Sequence, residues 1–139
     1  MYDKILVALD YSDASGRALI AARDLAYLSG GEVWVLHLVE RELAAKASTL
    51  ISNETEEEAS EAVAGSVELL AKSGIKAHGI AGHTVFGYAA REIVAAAREH
   101  DVDVIVMGTR GRGDLAGLVL GSTAHKVIHL ADRPVLIVR

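Results

Sequence analysis

The sequence predicts an α/β fold: a single doubly wound, five-stranded parallel sheet with helices on both faces. Three observations support this prediction. Apolar runs of strand length alternate with longer segments whose apolar residues recur at helical spacing. Most of these runs are uninterrupted by polar residues, which is typical of strands buried on both faces. The alternation is regular along the chain, and it favours parallel strands joined by helical crossovers.

Five segments are predicted as strands, and most of them are continuous apolar runs. The third is different, because Lys76, His78 and Ile80 alternate with small residues in a pattern that suits an exposed edge. The predicted strands are residues 5–9, 33–39, 75–81, 102–107 and 134–138.

Four segments are predicted as helices, and their ends carry recognisable signals. Ser12 or Asp13 can cap the first helix, which Gly30-Gly31 stops. Asn53 or Thr55 opens the second helix, whose first turn is acidic. The predicted helices are residues 14–28, 54–72, 88–100 and 122–131.

The connection over residues 41–53 has the weakest pattern in the chain, and we expect either a loop or an extension of the second helix. The sequence contains no internal repeat, linker or low-complexity tract. We therefore expect one domain over residues 1–139.

Composition excludes several classes of protein. The chain is 51% hydrophobic and only 4% aromatic, so alanine, valine, leucine and isoleucine must build the core. A formal net charge of −5 gives no general attraction for nucleic acid or an anionic membrane. The absence of cysteine excludes disulfides and thiolate chemistry, and no apolar stretch approaches the roughly 20 residues of a membrane helix. The start lacks a signal-peptide pattern, so we expect a soluble, cytoplasmic protein.

A cluster of glycines follows the fourth strand directly. Gly108 and Gly111 come after the apolar run, and Gly121-Ser122-Thr123 opens the last helix, with nine residues between Gly111 and Gly121. Glycines let the backbone approach phosphate oxygens, and the N–H groups of a helix's first turn bind anions. The cluster therefore predicts a nucleotide site, and the alternative is a flexible connection with a plain helix cap.

Two common phosphate-binding motifs fit this cluster poorly. Residues 111–116 match the dinucleotide pattern G-x-G-x-x-A, but the helix does not begin inside it. Residues 117–123 resemble a Walker A loop with one residue too few between the glycines and no lysine. Because that lysine is missing, the usual route to phosphoryl transfer is missing too.

Other candidate residues have more than one interpretation. Asp10 lies at the carboxyl end of the first strand, where ligands of open α/β sheets bind, but it could equally be a turn or capping residue. His125 and His129 share a helix face, and we interpret them as an exposed pair because no third ligand is evident nearby. His37, within an apolar strand, is expected to be a hydrogen-bonded core or edge histidine. No catalytic constellation stands out.

Taken together, these residues resemble the universal stress protein family, in particular its ATP-binding branch. The family signature is G-x2-G-x9-G-[ST], which Gly108, Gly111, Gly121 and Ser122 match in full. The resemblance extends over essentially the whole chain, through residues 4–12, 36–39, 87–89 and 134–138. Leu38 stands where the family often has valine, and Ala89 where it often has proline.

The resemblance implies an adenine nucleotide alpha hydrolase-like fold with sheet order 3-2-1-4-5, which places Asp10 and Gly108 at one crevice. It implies that ATP, ADP or AMP binds there, with any Mg²⁺ held mainly by the phosphates. The residues expected near adenine and ribose are Ala8, Leu9, Asp10 and Leu38. Those expected near ribose and phosphates are Met107, Gly108, Arg110, Gly111, Gly121, Ser122 and Thr123, with Arg112 as a further source of positive charge.

The resemblance also implies a homodimer, formed by antiparallel pairing of fifth strands that would otherwise be bare apolar edges. We expect a regulatory protein of the stress response that binds ATP with little or no hydrolysis and acts on an unidentified protein partner. One alternative is a slow ATPase or nucleotidyl-transfer enzyme, in which only Asp10 and Asp114 are positioned to act as a general base. The other is a nucleotide-free interaction dimer.

Overall fold

A computed structural model describes residues 1–43, 50–110 and 120–139. The strands are β1 (Lys4–Leu9), β2 (Glu32–Leu43), β3 (Leu50–Ile51), β4 (Ala77–Val85), β5 (Val104–Gly108) and β6 (Val135–Val138). The helices are α1 (Asp13–Ser29), α2 (Glu56–Lys72), α3 (Ala89–Glu99) and α4 (Ser122–Leu130). In this part of the chain, no helix is both long enough and apolar enough to cross a membrane.

Five of the strands form one parallel sheet in the order β4-β2-β1-β5-β6. The predicted fold class and strand order are confirmed; the two-residue β3 is a short antiparallel addition to the end of β2. The winding reverses between β1 and β5, which pair directly with Ala8 opposite Met107. Ligands of open α/β sheets bind at such a reversal, beyond the carboxyl ends of the strands.

The expectation of a loop or helix was wrong for residues 41–43 and 50–51, which lie in strands. β2 continues to Leu43, and its end pairs antiparallel with β3, with Glu42 opposite Ile51. The second helix is not extended backwards but begins at Glu56, because Thr55 caps it. The Thr55 hydroxyl accepts a hydrogen bond from the Glu58 N–H, and the Glu58 carboxylate accepts one from the Thr55 N–H, at 3.1 and 2.9 Å. Residues 44–49 lie outside the described residues.

The two faces of the sheet pack into separate cores because successive strand residues point to opposite sides. Val7 of β1 and Val35 of β2 pack under α1 and α2, together with a row of alanines from α1. Leu6 of β1 and Leu36 of β2 pack under α3 and α4 on the other face. As predicted, the third of the five parallel strands is an edge: in the described sheet, β4 pairs only with β2.

Helix α1 approaches β5 very closely at its first turn. Ser12 is its N-cap, with the hydroxyl accepting from the Ser15 N–H at 3.2 Å. A Cβ atom added to Gly108 would lie 2.9 Å from both the carbonyl carbon and the Cβ of Ala14. Gly108 is therefore required for packing of the helix on the strand, whatever else the glycine cluster binds.

Replacing Gly108 by alanine is expected to lower the free energy of unfolding by about 1–3 kcal/mol, because the added methyl group overpacks a rigid backbone contact. Chemical denaturation of Gly108→Ala measures this change. The matched control is Gly65→Ala in α2, where an added Cβ meets nothing within 4 Å. That control is expected to stabilise the protein by about 0.5–1 kcal/mol, since alanine is the better helix former. Equal effects at both positions would contradict the proposed contact.

Candidate functional site

A crevice lies beyond the carboxyl ends of β1, β2 and β5, on the face of the sheet that α3 and α4 cover. The floor of the crevice is largely apolar, and the residues that form it come from all these elements. They include Ala8 of β1, Leu36 and Leu38 of β2, Met107 of β5, Ile93 of α3 and Ala124 of α4. Polar groups stand around this floor, so that the crevice can hold a flat apolar group while hydrogen bonding to its rim.

The structure brings most of the predicted site residues to this crevice, although they are far apart in sequence. Those that line it are Ala8, Leu9, Asp10, Leu38, Met107, Gly108, Arg110, Gly121 and Thr123. Ser122 begins α4 with an exposed side chain and is not among the lining residues. Gly111 and Arg112, like Asp114, lie outside the described residues.

Several lining residues were not predicted from the sequence: Ser15, Leu36, Glu40, Ala89, Ile93, Thr109 and Ala124. Strand alternation could have identified two of them, because Leu36, Leu38 and Glu40 lie on one face of β2. Ala89 and Ile93 are one helical turn apart and could have been paired by their spacing. The others carry no signal of their own.

Asp10 lies at the β1 end of the crevice, and its carboxylate is oriented by the start of α1. One oxygen accepts hydrogen bonds from both the N–H and the hydroxyl of Ser12, at 3.0 and 2.6 Å. Ser12 is therefore the residue that caps α1, while Asp10 lines the crevice. The sequence also allowed Asp10 to be a turn or capping residue. Capping belongs to Ser12, whereas the bond from the Ser12 N–H makes Asp10 a turn residue that also lines the crevice.

The opposite end of the crevice is the start of α4. Gly121 is the N-cap of this helix, and no side chain of the described residues caps it. Its own N–H donates to the carbonyl of Thr109, which ties the helix start to the end of β5. The N–H groups of the first turn, together with the positive end of the helix dipole, favour an anion. Arg110 is exposed, lines the crevice as well and carries a positive charge.

Glu40 of β2 gives the crevice a second carboxylate. The pKa of this carboxyl is raised by partial burial and by the negative charges of Asp10 and Glu42, against a smaller opposing effect of His37. The crevice thus has an acidic side at the ends of β1 and β2 and an anion-binding side at β5 and α4.

Behind the crevice, His37 ties the end of β1 to the segment before α2. The side chain is 3% exposed, with Nδ1 2.7 Å from the carbonyl oxygen of Leu9 and Nε2 2.8 Å from the Glu54 carboxylate. The expectation of a hydrogen-bonded core histidine is confirmed. Tyr11 packs edge-on against the imidazole, with ring centroids 4.9 Å apart.

Tyr11 also makes the turn out of β1, and its backbone is strained there. Its φ of 61° lies in the left-handed region, which costs a non-glycine residue free energy and persists only where its surroundings impose it. The surroundings here are the imidazole of His37 and Ser66, whose hydroxyl lies 3.2 Å from the phenol oxygen. Burial raises the pKa of the Tyr11 phenol, the Ser66 hydrogen bond opposes this, and the charge of Glu54 adds to it.

The paired histidines of α4 lie elsewhere on the helix. His125 and His129 are exposed, and their rings contact each other edge-on at 4.6 Å between centroids. Across residues 1–43, 50–110 and 120–139, no three histidine, aspartate or glutamate side chains are grouped as metal ligands would be. The described crevice therefore supplies no protein-only metal cage.

Removing the buried imidazole is expected to destabilise the protein. In His37→Leu, the Leu9 carbonyl and the Glu54 carboxylate lose their partner, and the free energy of unfolding should fall by about 1–3 kcal/mol. The control is His83→Leu, because His83 makes only exposed contacts, with Glu56 and Arg41, and exposed polar pairs of this kind contribute at most about 1 kcal/mol. Urea denaturation compares the two, and an equal loss from both variants would contradict the structural role of His37.

Known proteins resemble this chain in both sequence and fold. A model of the universal stress protein family matches residues 1–139. The universal stress protein YxiE of Bacillus subtilis is 38% identical over 152 residues, covering all of both chains.

Solved structures agree with these sequence matches. The structure of MJ0577, a protein of Methanocaldococcus jannaschii, has a TM-score of 0.80 and 27% identity, covering 99% of this chain and 96% of that one. A universal stress protein of Archaeoglobus fulgidus, solved in complex with dAMP, has a TM-score of 0.72 and 29% identity, covering 99% and 98%.

Proposed function

The chain belongs to the universal stress protein family, and from this premise we propose that it is a cytoplasmic, ATP-binding regulatory protein of the stress response. The observation that carries the proposal is the uncapped start of α4, which borders an apolar crevice at the reversal of the sheet. The relative from Archaeoglobus fulgidus that was solved with dAMP supports an adenine nucleotide as the ligand.

The charges around the crevice favour one orientation of the nucleotide. The phosphates bind the first turn of α4 at Gly121 and Thr123, where N–H groups and the helix dipole attract anions. The base and ribose lie towards β1 and β2, against Ala8 and Leu38, because the carboxylate of Asp10 would repel a phosphate. Mg²⁺, when present, is coordinated mainly by the phosphates. ADP or AMP fits the same arrangement.

The same site favours binding over hydrolysis. Among the described residues that line it, no lysine is present to stabilise a transferring phosphoryl group. Its carboxylates, Asp10 and Glu40, lie at the ends of β1 and β2. ATP binding would instead stabilise one conformation of the protein and thereby change its interaction with a protein partner.

Two alternatives have distinct experimental signatures. A slow ATPase or nucleotidyl-transfer enzyme would show turnover on the purified protein that is lost in Asp10→Ala. An interaction dimer with an empty crevice would show no thermal stabilisation by millimolar ATP. A ligand at about 100 times its dissociation constant stabilises a protein by about 2.7 kcal/mol, which a thermal shift detects.

Replacing Gly121 by valine is expected to abolish ATP binding while leaving the fold intact. Gly121 has φ −71° and ψ 161°, which valine adopts readily, so the added side chain should obstruct the phosphates without straining the backbone. Titration calorimetry measures binding, and the control is Gly65→Val, at an exposed position in α2. If Gly121→Val binds ATP as the natural chain does, the phosphates do not bind at α4.

We also propose a homodimer formed by antiparallel pairing of β6. Among the described strands, β6 pairs only with β5, which leaves its outer edge open to a second chain. Leu136 of this strand is 40% exposed, and Ile128 and Leu130 of the neighbouring α4 are 47% and 44% exposed. Apolar side chains beside an open strand edge favour association with a second copy.

Replacing Leu136 by lysine is expected to convert the dimer to a monomer, because a buried charge at the interface is unfavourable and charged edge strands resist pairing. Sedimentation equilibrium gives the mass directly. Leu69→Lys, at an exposed leucine of α2, is the control and should remain dimeric. A natural chain that is monomeric at high concentration would contradict this prediction.

A further inference from the structure

Tyr11 follows Asp10 directly, but the two side chains diverge at the end of β1. Asp10 lines the crevice, on the face of the sheet that α3 and α4 cover. Tyr11 packs instead against the core beneath α1 and α2, on the other face. It does not line the crevice, so any effect that it has on a ligand must pass through its neighbours.

The hydrogen bond that orients Asp10 spans Tyr11. Its donor is the N–H of Ser12, two residues after the accepting carboxylate, at 3.0 Å. Because one residue lies between donor and acceptor, the backbone angles of that residue strongly affect whether the two groups meet. That residue is Tyr11, with a φ of 61° in the left-handed region. The orientation of the carboxylate thus depends on a backbone conformation that tyrosine seldom adopts.

Contacts of the Tyr11 side chain hold the backbone in this conformation. The ring meets the imidazole of His37 edge-on, with centroids 4.9 Å apart. The phenol oxygen lies 3.2 Å from the hydroxyl oxygen of Ser66, which is buried in α2. Ser66 donates its one hydroxyl proton to the Ala62 carbonyl at 3.2 Å, so the phenol is the donor in the pair with Tyr11. One partner in β2 and another in α2 therefore fix the ring.

The imidazole beneath the ring is itself held at both nitrogens. Nδ1 of His37 lies 2.7 Å from the carbonyl oxygen of Leu9, the residue before Asp10, and Nε2 lies 2.8 Å from the Glu54 carboxylate. The ring of Tyr11 thus packs against a side chain that is tied both to the end of β1 and to the segment before α2.

We propose that Tyr11 is a positioning residue: its ring, held by His37 and Ser66, keeps the turn left-handed and thereby directs the Asp10 carboxylate at a bound nucleotide. This inference rests on the proposed function, and it makes packing on one face of the sheet a determinant of ligand affinity on the other. Without the ring, a side chain that disfavours positive φ leaves the left-handed region. The apparent affinity then falls by the fraction of molecules that keep the binding conformation.

The test compares ATP affinities of the intact protein and of three variants at position 11 by titration calorimetry. Tyr11→Leu lacks the ring and disfavours positive φ, and it is expected to bind about tenfold more weakly. Tyr11→Asn also lacks the ring but tolerates the left-handed region, and a loss of about threefold is expected. Tyr11→Phe keeps the ring against His37 and should bind within about twofold of the natural chain. A merely structural role predicts that leucine outperforms asparagine, since leucine fills the core without burying an amide.

A double-mutant cycle with Asp10→Ala tests whether the effect passes through that carboxylate. Adding Tyr11→Leu to Asp10→Ala is expected to weaken ATP binding by no more than about twofold further, because no carboxylate remains to be misplaced. The matched control is Asp101→Leu. Asp101 is also left-handed, with a φ of 49°, but it lies between α3 and β5 at the amino end of the sheet. This control should keep the natural affinity within about twofold.

The outcomes separate this inference from the proposed function. If Tyr11→Leu binds ATP as tightly as the natural chain, or if its effect adds in full to that of Asp10→Ala, the inference is overturned while the nucleotide function stands. Tighter binding by Tyr11→Leu than by Tyr11→Asn overturns it as well. Thermal unfolding without nucleotide checks that each variant is folded, and Tyr11→Asn replaces an unfolded Tyr11→Leu in the cycle. If the natural chain binds no nucleotide, the proposed function fails and this inference fails with it.

Discussion

The direct pairing of β1 with β5 is the constraint on which the rest of this structure depends. It joins the first strand to one nearly a hundred residues later, with Ile5 opposite Val104. Winding reverses at this pair, so α1 and α2 cover one face of the sheet while α3 and α4 cover the other. The helices diverge there and leave a crevice open beyond the strand ends. Gly108 is part of that constraint, because α1 could not begin so close to β5 beside a larger residue.

Polar groups around the crevice are held by the packed structure behind it. Ser12 caps α1 and also fixes the carboxylate of Asp10, so one residue ends the turn and orients a candidate ligand contact. His37 joins the carbonyl of Leu9 to Glu54, which ties the end of β1 to the segment that leads into α2. The crevice therefore has an acidic side at the ends of β1 and β2 and the open start of a helix at α4.

Much of the fold could be predicted because its strands and helix ends depend on residues that are close together in the sequence. Apolar runs gave the central strands, and Ser12, Thr55 and Gly30 marked helix ends through backbone chemistry that acts within a few residues. The extension of β2 to Leu43 and the pairing with β3 could not be predicted in this way. Glu40, Arg41 and Glu42 are charged, and only pairing along β4 and β3 holds them in a strand.

The sequence by itself determined the α/β class, and it showed the spacing of the glycines and the lack of a Walker A lysine among residues 117–123. Each of these depends only on residue type and order. Its resemblance to the universal stress protein family supplied the strand order, which placed Asp10 and Gly108 at one crevice. Only the tertiary structure decided that Gly108 serves helix packing, that Ser122 is exposed without lining the crevice, and that Glu40 lines it. The physical reason is that these properties belong to contacts between elements distant in sequence, and no local pattern records which face of a neighbouring strand or helix a side chain will meet.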